Sequence, residues 1–170
     1  VWVSRNGKRE STPVATGILR YPRISPDGKQ IMVERIDAPG SESSIWLFGV
    51  GAAQRRVTLD PGMEAGPVWS PDGKRFLYGR DSRLWLQDVE SGVPARPLPG
   101  IAGDYPTFWS ADGRRVAYSR RNEVTGWDVC LLDMTNLDAP KSTCPAATRF
   151  YENDGQLSPD GRWLAYRTNE

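Results

Sequence analysis

Large apolar residues recur in this chain with a period of two, in short runs. Ile31 and Val33, Phe76 and Tyr78, Val116 and Tyr118, and Leu164 and Tyr166 stand at the third and fifth positions past a glycine. Alternation rich in β-branched and aromatic residues predicts half-buried strands. Each run follows the same four-residue punctuation: Ser25-Pro26-Asp27-Gly28, Ser70-Pro71-Asp72-Gly73, Ser110-Ala111-Asp112-Gly113 and Ser158-Pro159-Asp160-Gly161. Proline presets the first central residue of a type I turn, Asp bonds nearby amides, and Gly takes the positive φ of a G1 bulge. A large apolar residue stands immediately before each turn: Ile24, Trp69, Trp109 and Leu157. Each turn therefore joins two strands, A and B.

Further strands follow in order. Strand C is expected over 44–50, 83–89 and 128–134, and strand D over 55–59, 95–98 and near 142–144. Ile45-Trp46-Leu47 aligns with Leu84-Trp85-Leu86, Val129-Cys130-Leu131 and the opening Val1-Trp2-Val3. The first sixteen residues thus read as strands C and D of a preceding unit, the second of them near 12–16 after an Asn6-Gly7 turn. The turns are spaced 45, 40 and 48 residues apart, and no ten-residue stretch carries a helical period.

Four short antiparallel strands per repeat of this length predict an all-β fold, a β-propeller. Its expected divisions are a half blade over 1–16, whole blades over 17–62, 63–102 and 103–148, and a half blade over 149–170. The residue before each turn should pack between blades, as should the strand-C tryptophans. The two halves are complementary, C–D and A–B. The chain is expected to be a segment of a larger ring, or else to close by itself or with a second copy; open blade edges would favour association.

Charge adds little direction. Lys and Arg total 22 against 21 acidic residues, a net charge of +1, which selects neither nucleic acid nor an anionic membrane. The repeated slots of the tryptophans also favour packing over base stacking. No apolar run is long enough to span a bilayer. The sequence has no histidine and two cysteines, so His-dependent triads and a four-ligand Cys/His zinc site are impossible within these residues. No phosphate loop or nucleophile elbow is present, and no cofactor or catalytic residue is expected.

A strand ending Trp69-Ser70-Pro71-Asp72-Gly73-Lys74, preceded by Ile45-Trp46-Leu47 and Arg55-Arg56-Val57-Thr58-Leu59, resembles the WD40-like repeat of TolB-type β-propellers. Such repeats occur in TolB, in the propellers of prolyl-oligopeptidase-type and tricorn-type proteases, and after bacterial receptor-like Ser/Thr kinase domains, whose propellers often open much as this chain does. The resemblance implies an extracytoplasmic location. It also implies a non-catalytic interaction or sensing module for a protein or small ligand, with a substrate-gating propeller of a hydrolase or a TolB-like envelope component as alternatives.

Candidate chemistry is sparse. Asp27, Asp72, Asp112 and Asp160 are expected to serve their turns rather than a metal. Arg35, Arg80 and Arg120 share a position seven residues past the turn glycine, where strand B ends. The D–A loops emerge at that end with Glu64, Asp104, Glu152 and Asp154. They form either a charged binding rim or a set of locally paired surface charges. Cys130 and Cys144 fall roughly opposite each other on a C–D hairpin turning near 136–139, and either form a disulfide or stay as buried thiols.

Overall fold

A computed structural model describes residues 2–10, 16–49, 54–60, 62–90 and 93–170. It is all-β. Three four-stranded antiparallel sheets follow one another: β3 (Ile18–Ile24), β4 (Gln30–Ile36), β5 (Ser43–Gly49) and β6 (Arg55–Arg56); then β7 (Ala65–Trp69), β8 (Arg75–Arg80), β9 (Arg83–Asp88) and β10 (Arg96–Ala102); then β11 (Tyr105–Trp109), β12 (Arg115–Asn122), β13 (Gly126–Asp133) and β14 (Lys141–Ala146). Each is ordered as in the chain. Two-stranded sheets stand at either end, β1 (Trp2–Val3) with β2 (Arg9–Glu10), and β15 (Glu152–Leu157) with β16 (Leu164–Thr168). They are separate sheets, so these four strands do not join into one composite blade. The strand expected over 12–16 lies almost wholly outside the described residues, and strand D of the second repeat reaches Ala102 rather than stopping at 98.

From the second four-stranded sheet onward, the first strand of each sheet packs on the sheet before it. β7 lies across β3, β4 and β5; β11 across β7, β8 and β9; β15 across β11, β12 and β13. Successive first strands also touch one another, which places them on the inner side of the fan. Two apolar layers fill the gaps. Met32, Ile45, Leu47, Trp69, Phe76 and Tyr78 belong to the layer between the first two whole sheets, while Leu77, Leu84, Leu98, Val116, Tyr118 and Cys130 belong to the next. A blade is apolar on both faces, so it is stable only when stacked.

Two packing expectations need correction. Trp69 and Leu157 are buried in the slot before the turn, but Ile24 in the same slot is 61% exposed. That slot is covered by the preceding sheet, and among the described residues no four-stranded sheet precedes β3. Trp46 and Trp85 are only half-buried, because their outer faces carry arginines instead of a neighbouring sheet.

From β3 onward, the first strand of each sheet carries one extra residue relative to its partner. The register slips between Arg20 and Arg23, Ala65 and Val68, Pro106 and Phe108, and Asn153 and Gln156. Three of these bulges hold a residue at positive φ: Tyr21 at 49°, Gly66 at 59° and Asp154 at 58°. The equivalent residue in the third sheet is Pro106. Its ring forbids positive φ, and there the slip falls one residue later.

Candidate functional site

The four turns build one network four times. The Ser hydroxyl donates to the Asp Oδ1 at 2.6, 2.5, 2.6 and 2.5 Å. The same Oδ1 accepts the backbone N–H of Lys29, Lys74, Arg114 or Arg162 at 3.0–3.1 Å. Each glycine N–H closes the turn onto the serine carbonyl. These bonds favour the carboxylate and hold Asp27, Asp72, Asp112 and Asp160 below the usual carboxylate range. The copy with Ala111 is indistinguishable from the rest, since the position needs the proline dihedral and not the ring. A groove of about 890 Å3 runs between the first two turns, past Lys29, Lys74 and Trp69. Its Asp27 and Asp72 carboxylates are already committed to the turns.

At the opposite end, the three arginines of the common slot do not converge on a shared opening. The Arg35 Nε donates to Asp37 Oδ1 at 2.7 Å, and its guanidinium lies 4.3 Å from the Trp46 ring centroid. Arg80 is buried, with Nη1 3.1 Å from Asp60 Oδ2 and 3.7 Å from Glu64 Oε1, and it stacks 3.7 Å over Trp85. Arg120 Nη2 donates to the fully buried Asp128 at 2.8 Å. Asp104 accepts the backbone N–H of Arg121 at 2.6 Å and the hydroxyl of Ser82 at 3.2 Å. Of the seven rim residues singled out in the sequence, only Arg80 and Glu64 form an ion pair with each other. The remaining charges are satisfied locally.

Glu64 has no exposed surface. Its Oε2 accepts the Thr58 hydroxyl and, at 3.2 Å, the Ile45 N–H, both on the preceding sheet and its loop, while Arg80 approaches from its own sheet. Burial dominates these favourable contacts and pushes its carboxyl up to about 7. Glu152, six residues before its turn serine as Glu64 is, is equally buried and accepts the Thr148 hydroxyl. These two acids are interior clasps, not rim ligands.

Cys130 and Cys144 are joined by a disulfide between β13 and β14. The pairing slips by one residue there, between Val129↔Ala146 and Leu131↔Thr143. Pro145 sits in the slip and has no N–H to offer the ladder, so a bulge costs little at that point. Closing a 14-residue separation should stabilise the third sheet by about 3 kcal/mol. The paired Cys130→Ala, Cys144→Ala variant is expected to lose about 2–4 kcal/mol in urea unfolding. The unreduced protein should take up no iodoacetamide, and ready alkylation of the native chain would contradict the bond.

Sequence reading missed a row of aromatic side chains formed by Tyr21 on β3, Tyr105 on β11 and Trp127 on β13. The Tyr21 and Tyr105 rings lie 5.9 Å apart, and Tyr105 and Trp127 lie 5.7 Å apart. Tyr105 reaches Tyr21 across the second sheet because that sheet contributes Gly66. A Cβ on Gly66 would stand 2.9 Å from Tyr105 Cβ. The row sits at the ends of β3, β11 and β13 remote from the Ser-Pro-Asp-Gly turns. A groove of about 670 Å3 adjoins it, lined by Ser82, Arg121, Asn122, Glu123, Trp127 and Tyr151. Nothing in the sequence marks Tyr21, since positive φ is ordinarily the business of glycine.

With this geometry the chain has the fold of the TolB-type β-propellers, built of four-stranded antiparallel blades. TolB from Acinetobacter baumannii superposes with a TM-score of 0.78 at 23% identity, covering 98% of this chain and 41% of that one. A prolyl endopeptidase gives 0.59 at 16% identity, over 90% of this chain and 26% of that one. In sequence, a dipeptidyl-aminopeptidase B of Talaromyces stipitatus, so named as probable, is 29% identical over 126 residues, which is 58% of this chain and 14% of that protein. This chain thus corresponds to about one-seventh of the length of such relatives. No family model matches the sequence. No helix among the described residues is long and apolar enough to cross a membrane.

Proposed function

We propose that this chain is a non-catalytic recognition module, which takes its partner at the end of the propeller remote from the Ser-Pro-Asp-Gly turns. The contrast between the two ends carries this reading. At the turn end every Ser, Asp and Gly of the motif is consumed by the turn itself. At the other end Trp127, Tyr151, Glu123 and the Arg121 guanidinium line a groove, with Tyr105 beside Trp127. The sequence holds no histidine, so His-based acyl transfer has no base here. The disulfide supports an oxidising, extracytoplasmic location.

A photo-crosslinking residue in place of Arg121, at the groove, should give discrete adducts in an extract of the producing cells. The same residue in place of Lys74, at the turn end, should give none. Adducts from the Lys74 position alone would overturn the reading. So would turnover of peptide nitroanilides or lactones by the purified chain that a point substitution abolishes.

The likeness to dipeptidyl-aminopeptidase B favours a second reading, the substrate-gating propeller of a hydrolase. On that reading the parent protein carries an α/β-hydrolase domain, and the adducts at position 121 are the peptidase's own substrates.

A further inference from the structure

We infer that two copies of this chain complete each other. The β15–β16 pair of one copy takes the β1–β2 pair of the other as its strands C and D, closing a ring between them. Three observations meet at this surface, and none of them depends on the recognition reading.

The first is a sheet that stops halfway. In each whole sheet strand B lies between strands A and C. Its counterpart β16 pairs with β15 on one side and, among the described residues, with no strand on the other. Burial records the difference. Val33, Tyr78 and Tyr118, five residues past their turn glycines, are 4%, 0% and 1% exposed, whereas Tyr166 in the same slot is 43% exposed. An unpaired edge of this kind is a template for another strand.

The second is a groove beside that edge, of about 560 Å3, with Leu131, Leu132 and Thr143 in its lining along with the charged Arg114, Arg115, Asp133 and Lys141. Arg115 Nη1 donates to the Gly161 carbonyl at 3.2 Å, which sets the groove against the turn between β15 and β16. Val129 lies on the same face of β13 as Leu131, two residues earlier, and is covered by Gly155 of β15. Leu131 is only half-buried and Thr143 is exposed. The equivalents of Leu131 in the other whole sheets, Leu47 and Leu86, are buried in the layers formed with the sheet that follows.

The third is the occupant. β1–β2 is the complementary pair, with Val1-Trp2-Val3 in the place of strand C, and β1 is likewise unpaired on one side among the described residues. Within one chain the two pairs are separate sheets. In two copies each pair meets its complement without any rearrangement of the whole sheets. The other sheets also dictate the register. Val33 lies opposite Trp46, Tyr78 opposite Trp85 and Tyr118 opposite Cys130. The same pairing sets Tyr166 opposite Trp2 of the second copy, and Ala165 opposite Val3, which is 56% exposed in the single chain. Three whole sheets from each copy and two shared ones make eight blades, within the range of closed propellers, and a two-fold axis through the ring uses up every open edge.

Sedimentation equilibrium of the full chain at micromolar concentration should give the mass of two chains. Tyr166→Asp, at a site already exposed in the single chain, should weaken the dimer at least about tenfold while the far-ultraviolet circular dichroism is kept. Chains carrying Trp2→Cys are then mixed with chains carrying Tyr166→Cys and oxidised with diamide. A disulfide between unlike chains should form, and Arg96→Cys in place of Trp2→Cys should give none. A monomer at every concentration, a dimer that Tyr166→Asp leaves intact, or equal crosslinking through Arg96→Cys would each overturn the inference. So would a bond within one chain in the double variant Trp2→Cys, Tyr166→Cys, since the ring would then close on itself.

Discussion

Gly79→Ala should be the most damaging single methyl that can be added to this chain, with an expected loss of at least about 4 kcal/mol. Gly79 lies in β8, and a Cβ there would stand 1.6 Å from the Asp104 carbonyl oxygen and 3.0 Å from the Tyr105 Cα. Both are backbone atoms of the segment that enters the third sheet, so no side chain can swing aside. The two sheets would have to part, opening the layer that holds Leu77, Leu84 and Tyr118. Gly28→Ala is the contrasting case. Its φ is +74° but its surroundings are open, so only the left-handed backbone is penalised, by about 1 kcal/mol. Urea unfolding of the two variants separates steric contact from backbone conformation. A loss below about 1 kcal/mol for Gly79→Ala would mean the second and third sheets do not approach so closely.

Through Glu64, stability should fall by about 3 kcal/mol as pH rises from 4.5 to above 7, and Glu64→Gln should remove that share, leaving only what the raised Glu34 carboxyl adds. The Glu64 carboxyl moves from 4.5 in the unfolded chain to about 7 in the folded one. A raised carboxyl binds its proton more tightly when folded. Its contribution is therefore complete below 4.5 and is lost as pH passes through about 7. The four turn aspartates act in the other direction. Their folded values lie below 3.8, so their contribution is present above that pH and is lost as acid is added. Together they put the stability maximum in mildly acidic solution. Urea midpoints at pH 4.5, 6 and 8 test this. A Glu64→Gln variant that keeps the wild-type slope would show that Glu64 does not titrate in this range.

The turns were legible in the sequence because everything that makes them lies within five residues. Ser25, Asp27 and Gln30 meet whatever the rest of the chain does. The same holds for strand alternation and for the residue before each turn, with Ile24 as the instructive exception. Its slot was read correctly, but its burial depends on a neighbouring sheet and not on Ile24. The rim was less legible. Arg80, Asp60 and Glu64 are brought together by the D–A connection, and their pairing depends on how one sheet seats on the next. Least legible was the aromatic row. Tyr105 reaches Tyr21 only because Gly66 leaves room between them, a three-sheet relation with no signature at any one position.

The turn network has a kinetic consequence. Its bonds span at most five residues, so each A–B hairpin can close on the microsecond scale of an isolated hairpin, before any sheet stacks on another. The slow events are left to the layers, where distant strands must meet. Four pre-formed hairpins in tandem fix the strand register early, and register is what an array of near-identical strands is most prone to mistake. Ser-Pro-Asp-Gly would then act chiefly during assembly, as an indexing mark that keeps each strand B beside its own strand A.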